Sequence, residues 1–398
     1  MKILMLVPYL PNTATSGGQT RWYNIIKYLS KKHEITLFSL IKDGSEEKFI
    51  PELKKYCKKV RVFERPQKPW TLRNIILSFF GPFPLLVIRN LSLKERRAIT
   101  NELSNEKYDL IHAETFYVMP HLVRTDVPTI LVEQTIWHGV YRHHVETKVP
   151  LLLRPFYMYD VFKVKYWEKH YWTKANKLVA VSEEDRSEML KLIPKVNVDI
   201  IPNGVDTEYY ALKKVAKKFP PRILYGVTNF EWLQNQEASE ILLNRVWPRI
   251  KREFPNAKVW IVGREIPEWI KKLAEKDASV EVTENIPDAR DAYKSASIMV
   301  APIKGAGGTR LKILEAMAAG LPIVSTTIGV AGLNITPGKE ALIADTDEGL
   351  ANEAVRLLTN TTLAQKIGSA GLKHVRVNFD WKVLVKLHDP IYQEVVSP

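Results

Sequence analysis

The sequence contains a single cysteine, Cys57, so no disulfide can form within the chain. A reducing compartment is the expectation. No run approaches the ~18 consecutive apolar residues that a membrane-spanning helix needs. There is no low-complexity stretch and no internal repeat, which sets aside fibrous, disordered and solenoid architectures. The opening Met1–Pro8 has the charge and short apolar run of a signal peptide. Pro8 and Pro11 interrupt it, however, and no small-residue cleavage site follows, so it reads as a buried first strand. The expected location is the cytoplasm, with peripheral attachment at the inner face of the cell membrane as an open addition.

What is present points to an ordinary globular chain, 45% hydrophobic and 26% charged. Its 398 residues exceed the roughly 250–300 at which single cores stop growing, so two domains are expected. Lysine and arginine number 58 against 44 aspartates and glutamates, a net charge of +14. Such a surface favours anionic partners: nucleotide phosphates, acidic lipid headgroups or nucleic acid. No nucleic-acid-binding module is recognisable, so nucleic acid is not expected as a partner.

Apolar runs alternate with amphipathic segments along the chain. Strands are expected at Ile3–Val7, Ile35–Leu40, Val60–Phe63, Leu110–Ala113, Thr129–Val132, Leu178–Val181 and Val198–Ile201, with a helix over Thr20–Ser30. Thr207–Pro221, rich in lysine and ending in two prolines, reads as a linker. The alternation then restarts with strands Ile223–Val227, Lys258–Val262, Val280–Val282, Ile298–Ala301 and Ile323–Ser325, and helices Glu237–Phe254 and Thr309–Ala319. The fold class is therefore α/β: two doubly wound parallel-sheet domains, whose ligands should bind in a cleft at the carboxyl ends of the strands.

One segment stands out chemically. Strand Ile298–Ala301 runs into a loop containing Gly305, Gly307 and Gly308, and Thr309-Arg310-Leu311-Lys312 then opens a helix. Glycines let the backbone approach a ligand, and a helix start offers free N–H groups and the positive dipole end. Arg310 and Lys312 add full charge, a combination that suits a diphosphate leaving group without a metal. Thr309, Lys312 and Glu315 share one helical arc, so Glu315 can accept hydrogen bonds from ribose hydroxyls. The plainer alternative is a loop followed by a solvated helix carrying a Lys312–Glu315 pair. A second strand–loop–helix carries Gly17 and Gly18 with Arg21 one turn on. It lacks the G-x-G-x-x-G spacing, and by itself fits a tight structural turn equally well.

These residues, with Tyr108–Glu114, Val179–Ser182, Ile201–Asp206, Val259–Gly263 and Gly307–Ala319, resemble the retaining glycosyltransferases of the GT-B fold, family 4. The resemblance covers nearly the whole chain. It implies an N-terminal acceptor-binding domain over 1–205, a nucleotide-sugar-binding domain over 206–378, and a C-terminal helix, 379–398, that returns to the first domain. It further implies a nucleotide-diphosphate sugar as co-substrate, a glycan or lipid-linked acceptor, and usually no metal or other cofactor. Gly17, Gly18, Gly263, Gly307, Gly308, Thr309, Arg310, Lys312 and Glu315 are then donor-binding candidates, and Arg21 and His112 acceptor-binding candidates. Arg310 and Lys312 correspond to the phosphate-neutralising pair. Many members carry a glutamate where this chain has Gly307. Many have a histidine just after the strand Thr129–Val132, where this chain has Glu133 and Gln134, with His138 following; Glu133 and His138 are the remaining catalytic candidates. The stretch Gly226–Trp232 lacks the family's usual arginine and lysine.

Asp345-Thr346-Asp347 has the D-x-D spacing of metal–nucleotide sites but reads as a helix cap. Two segments, Trp70–Arg97 and Leu151–Lys174, crowd apolar and aromatic residues beside basic ones. They fit shallow docking on an anionic bilayer or two core-facing helices with solvated faces. Other readings of the whole chain are a sugar-nucleotide epimerase of the same fold and a degenerate glycan-binding subunit.

Overall fold

The computed structural model describes residues 1–13, 17–66, 71–213, 215–216, 219–305 and 311–397. The chain divides into two units, 1–202 with 384–398, and 203–383.

Unit 1 is built on seven parallel strands: β1 Lys2–Val7, β2 Glu34–Ile41, β3 Lys59–Glu64, β4 Leu110–Glu114, β5 Thr129–Glu133, β6 Lys177–Ala180 and β7 Val198–Ile200. Their spatial order is β3-β2-β1-β4-β5-β6-β7. The central strands are apolar runs because helices cover both faces; β4 and β5 are buried at every position. The order reverses between β1 and β4, the switch point at which doubly wound sheets hold ligands. The segment after β1 leads into the helix Gly17–Leu29 there.

Unit 2 repeats the plan with β8 Arg222–Asn229, β9 Lys258–Arg264, β10 Val280–Glu284, β11 Ile298–Ala301, β12 Ile323–Ser325 and β13 Leu342–Ile343, ordered β10-β9-β8-β11-β12-β13. Its switch point lies between β8 and β11. β8 bulges between Gly226 and Thr228. Gly226 takes φ +134°, and a Cβ there would lie 2.0 Å from the Val262 carbonyl oxygen, so only glycine fits.

Three expectations need adjustment. The helix expected over Glu237–Phe254 begins at Leu233 and carries a π-helical turn, Leu242–Val246, just before Pro248. Proline has no N–H to continue the α ladder, and the wider turn absorbs that gap. The expected linker begins instead with a helix, Thr207–Ala211, capped by the Asp206 carboxylate at the Tyr209 N–H, 2.8 Å. Tyr210 drops into the core of unit 2, so this stretch is structured. At the far end, Phe379 still belongs to that core and Asp380 pairs with Val205; the chain joins unit 1 again only from Leu384.

Candidate active site

In unit 2 the helix Leu311–Ala318 follows β11 at the switch point. Gly307, Gly308, Thr309 and Arg310 lie outside the described residues. Lys312, on the first described turn, is half-buried and reaches the carboxyl end of β8. Its Nζ bonds the side-chain oxygen of Asn235, lies 3.4 Å from the Tyr225 hydroxyl, and sits 5.0 Å above that ring. Asn235 is itself fixed, donating to Thr228 Oγ1 at 2.9 Å and to the Asn229 carbonyl at 2.7 Å. The stretch that lacks the expected arginine and lysine therefore still meets a cation, Lys312, through Asn235. Asn235 was not anticipated, because its partner lies 77 residues away.

Glu315 follows three residues later on the same helical arc. The Tyr293 hydroxyl donates to Glu315 Oε2 at 2.9 Å, and Tyr210 also bonds the carboxyl. Burial pushes this carboxyl up from an ordinary 4.5 to about 7, although the two tyrosines and Lys312 pull it down. Burial likewise raises both tyrosine hydroxyls, so they remain donors at neutral pH. The result is a carboxyl poised near neutrality, one turn from a lysine. Nothing in the local sequence announced Tyr210 or Tyr293. Gly263, by contrast, serves packing: a Cβ there would sit 2.2 Å from the Thr228 carbonyl oxygen and 2.7 Å from the Phe230 ring.

In unit 1, Gly17 and Gly18 open the first helix, and a Cβ on Gly18 would lie 3.2 Å from Gln134 Oε1. Gln134, just beyond β5, donates to Glu114 Oε2 at 3.0 Å. Glu114 Oε1 lies 3.0 Å from His112 Nε2, and His112 Nδ1 lies 2.6 Å from the Tyr392 hydroxyl. This line of polar contacts runs through the interior from the late helix His388–Val396 to the edge of Gly18. Burial pushes the Glu114 carboxyl up, yet His112, Arg21 and Gln134 together hold it below the usual carboxylate range.

Two acceptor candidates lie in the interior of unit 1. Arg21 is fully buried and donates to the carbonyls of Pro202, 2.9 Å, and Ile201, 3.0 Å. His112 is equally buried between Glu114 and Tyr392. Neither side chain is exposed, and each is held by partners within the unit. The two remaining catalytic candidates are also interior. Glu133 accepts from Trp172 Nε1 at 3.0 Å, and burial, then the charge of Glu168, raises its carboxyl well above the ordinary range. His138 Nδ1 lies 2.6 Å from Glu168 Oε2. Glu168 also accepts the Trp137 N–H at 2.6 Å and the His138 N–H at 3.3 Å, so it caps the helix Trp137–Lys148. Gln134 is half-buried beside Gly18; it was passed over in favour of its neighbours.

The D-x-D stretch is structural. Both oxygens of Asp345 accept from Thr327, each at 2.8 Å. The helix cap is Thr346, whose hydroxyl accepts from the Gly349 N–H at 3.0 Å. Among the described residues no group of three or more His, Cys, Asp or Glu side chains is arranged to hold a metal ion.

The family described as "Glycosyltransferase Family 4" matches residues 15–209, and that described as "Glycosyl transferases group 1" matches residues 221–360. A 44.6 kDa protein of the cps region of Klebsiella pneumoniae is 23% identical over 99% of each chain. A phosphatidyl-myo-inositol mannosyltransferase of Mycobacterium tuberculosis is 24% identical over 55% of this chain and 60% of its own length. Among solved structures, a glycosyltransferase of Rickettsia africae superposes with TM-score 0.69, at 16% identity over 100% of this chain and 98% of that one. Anabaena HepE in complex with UDP gives TM-score 0.64 at 14% identity, over 99% of this chain and all of that one.

Proposed function

From the premise that the chain belongs to the group 1, family 4 glycosyltransferases with their GT-B fold, we propose that it transfers a sugar from a nucleotide-diphosphate donor to a glycan or lipid-linked acceptor of the cell envelope. The observation that carries this reading is the pairing of Lys312 with Glu315 on one helix at the switch point of unit 2. Lys312 neutralises a donor phosphate, together with Arg310. Glu315, held by Tyr210 and Tyr293, accepts hydrogen bonds from ribose hydroxyls. Unit 1 carries the acceptor, with the Gln134 amide as a contact.

The reaction forms a bond between an acceptor oxygen and the anomeric carbon on the face from which the diphosphate departs. The bond from that carbon to the phosphate oxygen breaks, and the acceptor proton passes to a donor phosphate oxygen, so configuration is retained. Charge on the leaving group is met by the two cations and no metal is required. The names of the relatives favour a lipid-linked acceptor or a capsular glycan.

The test is calorimetric titration with UDP, GDP and ADP, with and without magnesium. One diphosphate should bind, and Lys312→Ala should weaken it by about tenfold or more, the worth of one charge-assisted hydrogen bond. Binding of none of the three, or equal binding by Lys312→Ala and Glu315→Gln, would overturn the site. Nuclear magnetic resonance of the product's anomeric proton then decides between retention and inversion.

A further inference from the structure

The helix Leu72–Phe80 is built inside out. Its two buried residues are the polar Asn74 and Ser78, four apart, while its large apolar side chains face solvent. The helix Arg154–Trp172 meets that polar side. Ser78 Oγ donates to Asp160 Oδ1 at 2.8 Å, and Lys163 Nζ donates to the carbonyls of Ser78 and Gly81. Asp160 also accepts the Leu85 N–H at 3.0 Å. With charge and amide turned inward, the large apolar residues of the first helix and several of the second are left outside, while Val161, Val164 and Trp172 pack into the core. Phe80 is 82% exposed and Leu152 88%, with Leu72, Leu151, Phe156 and Phe162 also exposed. The Phe79 ring joins the two helices, 6.4 Å from Phe156 and 5.6 Å from Tyr159. A contiguous apolar face of this kind marks a docking surface on a protein that must otherwise stay soluble.

Charge identifies the occupant. No aspartate or glutamate occurs from residue 65 to residue 94, and in 147–167 the sole acid is Asp160, which points inward. Arg73 is exposed and Arg154 and Lys165 half-buried on these elements, and the exposed Lys148 ends the preceding helix, Trp137–Lys148. Among the described residues no helix is long and apolar enough to cross a membrane. We propose that the outward face of helices Leu72–Phe80 and Arg154–Trp172, with Leu151–Leu153, inserts shallowly into an anionic lipid bilayer: apolar side chains enter the headgroup–acyl boundary and the basic residues meet acidic headgroups. This goes beyond the transfer reading and stands without it.

Co-flotation of the full chain with phosphatidylcholine vesicles, with and without phosphatidylglycerol, tests the proposal. The chain should float with the anionic vesicles, and the combined variant Phe80→Ser/Leu152→Ser/Phe156→Ser should partition about tenfold less or weaker still. These side chains are exposed, so circular dichroism and nucleotide titration should not change. Arg73→Glu/Lys148→Glu should erase the preference for phosphatidylglycerol. Failure of the wild-type chain to float, or equal flotation of the serine variant, would overturn the proposal. So would self-association in sedimentation velocity that the serine variant abolishes without any vesicle binding, since the face would then cover a second copy.

Discussion

Glu114 in unit 1 is fully buried and Glu315 in unit 2 half-buried, and their charge states diverge. Glu114 is surrounded by donors and a cation, namely His112, Gln134 and Arg21, and stays below the ordinary carboxylate range. Glu315 has two neutral tyrosine hydroxyls and one lysine, and rises to about 7. Desolvation acts on both in the same direction; the company each keeps decides the outcome. A carboxylate fully compensated by its own protein is a brace. One left near neutrality still has hydrogen-bonding capacity to give a ligand.

The largest effect expected from breaking this contrast is on Arg21. Arg21→Met leaves the Glu114 charge undercompensated and two carbonyls without their donor, and should cost about 3–5 kcal/mol in urea unfolding of unit 1. A loss below about 1 kcal/mol would mean that Glu114 does not depend on the guanidinium.

Next in size is the pH response, which should have opposite signs at the two sites. A carboxyl raised from 4.5 to about 7 binds a proton in the folded state that the unfolded chain releases. Glu315 therefore weakens folding as pH climbs from about 4.5 to 7, by on the order of 2–3 kcal/mol, and ceases to do so in acid. Glu114 is depressed, so its stabilisation is present at neutral pH and is lost only as pH falls through its folded value. Glu315→Gln should flatten unit 2's stability between pH 4.5 and 7; an unchanged slope would place the titrating group elsewhere. The same variant should weaken binding of the diphosphate by about tenfold, since an amide replaces a charged acceptor.

Tyr293→Phe is a finer probe. It removes one of the two hydroxyl donors, so it should cost about 1 kcal/mol and move the Glu315 titration upward, read from the midpoint of the pH–stability curve. Smallest of all, Asp345→Asn should change stability by no more than about 1 kcal/mol and leave magnesium dependence untouched, because among the described residues the carboxylate serves Thr327 alone. A change in magnesium response would reopen the D-x-D stretch as a metal site.

The strands were legible in sequence because a covered parallel sheet demands apolar runs, and Ile298–Ala301 and Ile323–Ser325 agree to the residue. Lys312 and Glu315 were legible together because their relation is local, one turn of one helix. What surrounds them was not. Tyr210 comes from 105 positions upstream of Glu315, and Asn235 reaches Lys312 across 77. The partners of Arg21 were illegible for the same reason: the carbonyls it serves lie 180 and 181 residues away. The inverted helix Leu72–Phe80 left both readings of its segment open, since the partners that draw Asn74 and Ser78 inward belong to another helix.

That Tyr392 completes the buried line through His112 and Glu114 has a bearing on the order of assembly during synthesis. Unit 2 is an uninterrupted segment, whereas unit 1 receives residues 384–398 only after all of unit 2 has been translated. On the ribosome, the later-made half can reach its native packing first. The earlier-made half waits with His112 lacking its Tyr392 partner, so a nascent chain stalled before Tyr392 should expose unit 1, and not unit 2, to proteases and chaperones.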